Sequence, residues 1–183
     1  MSGEPGLYTI GHGSRSLLAF LDVLKAHRIE CLVDVRAYPS SKRHPQFRRA
    51  MLATALAQAG IVYVWEGAAL GGMRRPRRDS PHLGLRDAAF RGFADHMASA
   101  PFKQALEALA VRGRAARTAF MCAETQPAHC HRGFIADALL GRGVTVMHLV
   151  AVDDVRPHVL HGAARPVADG LVYDRAVQMP LGY

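Results

Sequence analysis

Apolar residues along the chain gather into short runs, some nearly continuous and some spaced by three and four. Residues 7–11 (LYTIG) form an apolar run that ends in glycine, the pattern of a strand stopping at a turn. Ser16 is placed to cap a helix over 17–27, where Leu17, Phe20, Leu21 and Leu24 fall on one face. Residues 29–35 (IECLVDV), 61–65 (IVYVW), 117–122 (RTAFMC) and 144–150 (VTVMHLV) predict further strands. Their lack of alternation suits a parallel sheet covered on both faces. Helices are expected over 48–59, with Gly60 as its stop, over 88–111 with an interruption near 99–101, and over 127–140. Residues 37–47 read as a loop, and 66–87, rich in Gly, Pro and Arg, show no periodic element. A loop that long inside a domain is usually functional, and a lid over a ligand is one role to test. The tail, 151–183, is poorly patterned, although 170–174 (GLVYD) could pair at a sheet edge.

Strands alternating with helices imply βαβ units. The expected fold is therefore α/β: an open, mostly parallel sheet flanked by helices, Rossmann-like in the broad sense. The 183 residues form one domain, 1–183, with a core over 8–150 and a C-terminal tail. Half of the residues are hydrophobic, yet no apolar run approaches the roughly 20 residues that span a bilayer, and the N-terminal residues show no secretory pattern. Three cysteines do not make a disulfide framework. A cytoplasmic protein without membrane contact is the expectation.

Charge changes this picture. Lys and Arg number 23 against 15 Asp and Glu, and they bunch at Lys42-Arg43, Arg48-Arg49 and Arg74–Arg78. Bunching favours a polyanionic or phosphate-bearing partner, while for any single cluster a solvated basic face is an equal alternative. In open α/β sheets ligands bind at the carboxyl ends of the strands. Those ends carry Gly11-His12-Gly13-Ser14-Arg15, then Asp34-Val35-Arg36, then Glu66 with Gly71-Gly72, then Cys122-Ala-Glu124 followed by Cys130-His131-Arg132. Gly11-x-Gly13 only half matches a dinucleotide fingerprint, because Ser16 stands where the third glycine belongs. Asp34 and Arg36 fit either a local ion pair or an acid–base carboxylate beside a guanidinium.

The stretch CAETQPAHCHR (122–132) holds most of the chemistry. Pro127 fits a first helical position, so free amides and a positive helix end would form an anion site here. That setting would lower the Cys130 pKa, and Arg132 could add a bidentate contact. Cys122, Cys130 and His131 offer three ligands to a metal, but no second paired cluster completes a four-ligand zinc site. The spacing to Arg132 does not match a phosphatase nucleophile loop, and a redox pair is allowed without being demanded.

Three segments together resemble a known family. The first is YTIGHGSRSLLAFLDVLKAHRIECLVDVRAYPSSKRHPQF, the second Leu70-Gly71-Gly72, and the third Cys122-x-Glu124 with Cys130-His131-Arg132. In this order they are similar to the domain of unknown function 488 family, over residues 8 to about 150. The resemblance implies that these motif residues form the site, and no reaction comes with it. The leading expectation is an enzyme acting on a phosphate-containing small molecule or nucleic acid. Asp34, Glu124, Cys130 and His12 would be catalytic. Arg15, Arg36, Lys42, Arg43, Gly71, Gly72, Cys122, His131 and Arg132 would bind substrate. No cofactor is expected, with zinc as the lesser alternative. The rivals are a non-catalytic nucleic-acid-binding module and a thiol or sulfur-transfer protein using Cys122 and Cys130.

Overall fold

Three of the apolar runs become strands buried along their whole length. Leu7–Gly11 (β1) and Thr118–Cys122 (β4) are buried at all five positions, and Cys31–Asp34 (β2) at all four. Val62–Trp65 (β3) and Val146–Leu149 (β5) complete the parallel set. The structure, a computed structural model, describes residues 6–176, so the ends of the expected 1–183 domain lie outside the described residues. Its six-stranded sheet runs β3-β2-β4-β1-β5-β6, where Val155–Pro157 (β6) pairs antiparallel on β5. This is the expected α/β architecture, a mostly parallel sheet with helices on both faces. Among the described residues no helix is long and apolar enough to cross a membrane.

Each face has its own helices. Leu17–Ala26 (α1), capped by Ser16, and Arg49–Gln58 (α2) cover one face, packing Phe20, Leu24, Leu52 and Leu56 on Ile10, Leu32 and Met121. Ala88–His96 (α4), Ala100–Ala115 (α5) and Arg132–Leu140 (α6) cover the other, with Phe93, Phe102, Leu106 and Ile135 on Val33, Phe120 and Cys122. The chain leaves β1 toward β2 on one side and leaves β4 toward β5 on the other. The adjacent pair β1–β4 is therefore the switch point of the topology, the place where ligands bind in folds of this kind.

Three regions differ from expectation. Residues 66–87 contain a short helix, Gly67–Leu70 (α3), and part of the rest is bonded to other elements. Arg77 N donates to Asp95, Gly84 N to the Tyr173 carbonyl, and His82 Nδ1 accepts from Tyr173 N. In the tail, Gly170–Tyr173 (β8) pairs with Ala164–Val167 (β7) in a separate hairpin and not at the edge of the main sheet. Gly170, at φ 140°, follows the two-residue turn in a backbone conformation that favours glycine. The predicted helix over 127–140 is broken: a 3-10 turn covers Pro127–His129, Cys130 is extended, and α6 starts at Arg132.

A buried polar chain ties the tail to the sheet. Arg132 Nε donates to Thr9 Oγ1 (3.3 Å), which lies 2.7 Å from His148 Nδ1. His148 Nε2 lies 2.9 Å from His158 Nδ1, and His158 Nε2 lies 2.8 Å from Asp137 Oδ1. A guanidinium only donates and a carboxylate only accepts, so Arg132 donates into the chain at one end and His158 Nε2–H donates to Asp137 at the other. Asp137 also accepts from His161 N and the Tyr173 hydroxyl. Burial, then His158 and Arg132, hold the His148 pKa down at about 4.

The sign follows from linkage. A histidine whose folded pKa lies below its unfolded value near 6.5 contributes stability above that value, and the contribution is lost as pH falls toward 4. Urea unfolding should therefore show stability falling between about pH 6.5 and 4, with His148 accounting for on the order of 3 kcal/mol at the bottom of that window. His148→Gln should flatten the slope. Arg132→Met, which leaves carbonyls unpaired in the interior, should cost about 2–4 kcal/mol at neutral pH in the same assay.

Candidate functional site

Two loops meet at the β1–β4 switch point, and glycine makes the meeting possible. His12 N donates to the Cys122 carbonyl (3.0 Å) and Gly13 N to the Ala123 carbonyl (2.8 Å). A Cβ on Gly11 would fall 1.8 Å from the Glu124 carbonyl oxygen, so only glycine lets the 123–125 segment cross the end of β1. Gly11 thus serves a close chain crossing, not a dinucleotide. Arg132, 1% exposed, fixes the crossing from below: Nη1 donates to the Glu124 carbonyl and Nη2 to the Thr125 carbonyl (2.7 Å).

Three of the expected anion-binding arginines are occupied. Arg132 is committed as above. Arg15 donates to the Gly11 and Val150 carbonyls. Arg36 grips Asp34 through Nε (2.8 Å) and Nη2 (2.6 Å). Asp34, fully buried, also accepts from Arg36 N (3.1 Å) and from the Tyr63 hydroxyl (2.7 Å), a partner that the sequence did not suggest. Four donors on two enclosed oxygens leave no room for a substrate proton, so Asp34 and Arg36 take the alternative of a local ion pair that fixes the loop after β2.

Several amides of the anion site expected at the helix start are already bonded. The Cys130 amide bonds to the Pro127 carbonyl, Gly133 N to the Cys130 carbonyl and Phe134 N to the His131 carbonyl, so these first-turn donors are already used. The expected lowering of the Cys130 pKa is reversed. Its thiol donates to the Cys122 sulfur and is buried, which pushes it up to about 12. Cys122 is the one lowered, by that donated bond and by the Ala123 and Glu124 amides, against the opposing effect of burial.

The remaining residues form two clusters on opposite faces of the sheet. On the α1–α2 face, His12 stacks on Phe47 at 4.3 Å with His44 at its edge, and its Nδ1–H donates to the Gly13 carbonyl (2.8 Å). Burial, followed by smaller influences, takes its pKa down to about 4, so Nε2 keeps a lone pair at neutral pH. On the α4–α6 face, Cys122 Sγ and Cys130 Sγ lie 3.7 and 3.8 Å from His131 Nδ1. His131 Nε2 faces the Val35 carbonyl at 3.0 Å, and its ring packs edge-on against Phe93. Gly72 lies over that ring, where a Cβ would come within 3.0 Å of Nδ1. Gly71 turns against Gly67 and Ala37. The Leu-Gly-Gly motif thus lets the loop after β3 reach His131.

Glu124, Lys42 and Arg43 are solvent-exposed. Glu124 makes no side-chain hydrogen bond or ion pair among the described residues. Sequence reading missed a cavity of about 290 Å³ between α6 and β5–β6, lined by Cys130, Phe134, Asp137, His148, His158 and His161 among others. His148 lies in β5 and His158 just after β6, at no motif spacing, so nothing in the chain announced their meeting. No curated protein and no solved structure matches the chain. The pattern of one family does match, over residues 16–139, a span that contains both clusters except for His12. The chain belongs to that family, described as Domain of unknown function DUF488.

Proposed function

We propose that the chain is an enzyme acting on a phosphate-bearing substrate, a nucleotide or a nucleic acid, held at the carboxyl edge of the sheet. The observation that carries this reading is the exposure of Lys42, Arg43, Arg48, Arg75 and Arg78 on the loops after β2 and β3, two neighbouring strands. The loop after β2 has no acidic residue over 37–48 to neutralise them. Its shape is held from within: Gln46 Nε2 donates to the Arg15 carbonyl, His44 N to Ser41 Oγ, and Arg48 Nε to the Ser41 carbonyl. A pre-shaped basic rim binds polyanions at lower entropic cost than free side chains.

Arg15, Arg36 and Arg132 support the rim in this reading and do not touch the substrate. Lys42 and Arg43 hold phosphate. Glu124, exposed at the switch point with no side-chain partner among the described residues, is the acid–base group. Neutral His12, with Nε2 unprotonated, assists it.

A labelled oligonucleotide and a mononucleotide, each titrated over a range of salt, test this. Oligonucleotide affinity should fall linearly in log–log form, and the Lys42→Ala/Arg43→Ala pair should weaken binding and reduce the slope by about 2. Binding of both probes that is weak and unaffected by salt would remove the reading. Incubation of wild type with a panel of nucleotides and oligonucleotides should convert at least one. Glu124→Gln should lower that rate by about 100-fold or more while changing affinity less than about twofold. Tight binding with no conversion of any member would leave a non-catalytic binding module.

A further inference from the structure

On the face of the sheet away from His12, three soft or borderline donors converge without a carboxylate among them. We propose that Cys122, Cys130 and His131 bind a zinc ion. This goes beyond the phosphate reading and does not depend on it.

Spacing is the first argument. The two sulfurs and His131 Nδ1 all lie within 4.8 Å of one another, and both sulfur-to-nitrogen distances are known, 3.7 and 3.8 Å. A tetrahedral zinc with bonds of about 2.3 Å to sulfur and about 2.0–2.1 Å to nitrogen separates those atoms by about 3.5 Å. Each sulfur needs to approach the imidazole nitrogen by only a few tenths of an ångström.

Orientation is the second. A ligating histidine commonly donates its other ring N–H to a carbonyl or carboxylate, which fixes the tautomer. His131 Nε2–H donates to the Val35 carbonyl at 3.0 Å, so Nδ1 carries the lone pair, and Nδ1 is the atom that faces both sulfurs. The free space is the third. A Cβ at Gly72 would press to 3.0 Å from that same Nδ1, and glycine keeps the position clear.

Charge decides the donor set. Two thiolates and one Zn²⁺ sum to zero, so the ion can sit among residues as enclosed as Cys122 and Cys130 without a further counter-ion. Two sulfurs and an imidazole suit zinc better than magnesium or calcium, which take oxygen ligands. Three protein ligands leave a fourth position for water or a ligand atom, and Cys130 also lines the 290 Å³ cavity between α6 and β5–β6.

The test uses the full chain without a histidine tag. Elemental analysis of the purified protein should give about one zinc per chain. After removal with a chelator, titration with Co²⁺ should produce thiolate-to-cobalt charge-transfer bands and the intense visible bands of a tetrahedral ion, with charge-transfer intensity for two thiolates. This readout is made on wild type, so it stands even if a ligand variant fails to fold. Cys122→Ser, Cys130→Ser and His131→Gln should each weaken Zn²⁺ binding beyond the roughly 10–100-fold that loss of a second-shell partner costs. Cys31→Ser, on another strand, should leave it unchanged. A wild-type protein that purifies without zinc and gives no cobalt spectrum overturns the proposal. So does a spectrum that persists in both Cys122→Ser and Cys130→Ser. Mild oxidation that joins Cys122 to Cys130 equally fast with and without added Zn²⁺ also overturns it, and identifies a thiol pair instead. None of these readouts involves a nucleotide, so failure here leaves the phosphate reading intact.

Discussion

A guanidinium buried with no carboxylate directly on it is the constraint around which this molecule is arranged. Arg132 is 1% exposed and meets its needs with a threonine hydroxyl and two backbone carbonyls. Taking such a charge out of water costs several kcal/mol unless its donors are matched, so those acceptors must be where they are. Glu124 and Thr125 are consequently held over the end of β1, and Gly11 must be glycine to let them pass. Thr9, as the third acceptor, passes the polarity on through His148 and His158 to Asp137. One buried charge on α6 thereby organises the switch-point loops at one end and the C-terminal hairpin at the other.

The same demand explains why the chain's basic residues divide into two kinds. Arg15, Arg36 and Arg132 lie near the carboxyl edge but turn inward, each onto protein acceptors. Lys42, Arg43, Arg48, Arg75 and Arg78 face water. A sequence lists both kinds as cations at strand ends, yet only the second can meet a ligand without first breaking a buried bond. The inward set makes the outward set rigid: the Arg15 carbonyl holds Gln46, and the Arg36 carbonyl receives the Trp65 indole N–H. The edge is therefore built in two layers, with the charge that reaches solvent resting on charge that does not.

Most of the sheet was legible in the sequence because strands buried on both faces leave near-continuous apolar runs, and residues 7–11 and 117–122 are of that kind. The tail was not legible. Val155–Pro157 and the β7–β8 hairpin are short and largely exposed, and they are held by Tyr173 and by histidines whose partners lie far along the chain. The break before α6 was hidden for a local reason. Proline fits the first position of a 3-10 turn as well as that of an α-helix, and extended Cys130 carries no marker of its conformation. For the site, the residues were visible but their partners were not. Asp34 and Arg36 offered ion pair and acid–base readings equally until the Tyr63 hydroxyl, from the neighbouring strand, filled the remaining valence. The Cys130 thiol was read from its helix end, whereas its nearest influence is a sulfur eight residues earlier in the chain.

Strand alternation then accounts for there being two clusters instead of one. Along β4, Met121 points to the α1–α2 face and Cys122 to the α4–α6 face; along β1, Ile10 and Thr9 divide the same way. His12 and the basic loop after β2 follow the first direction, while Cys122, Cys130 and His131 follow the second. The single segment from Cys122 to His131 crosses between them, presenting Glu124 to solvent on its way and returning to the interior at Cys130. Its path is fixed at three points: the amides of His12 and Gly13, the guanidinium of Arg132, and the Val35 carbonyl on His131. The same ten residues therefore carry both the exposed carboxylate at the rim and the sulfur–imidazole cluster beneath it.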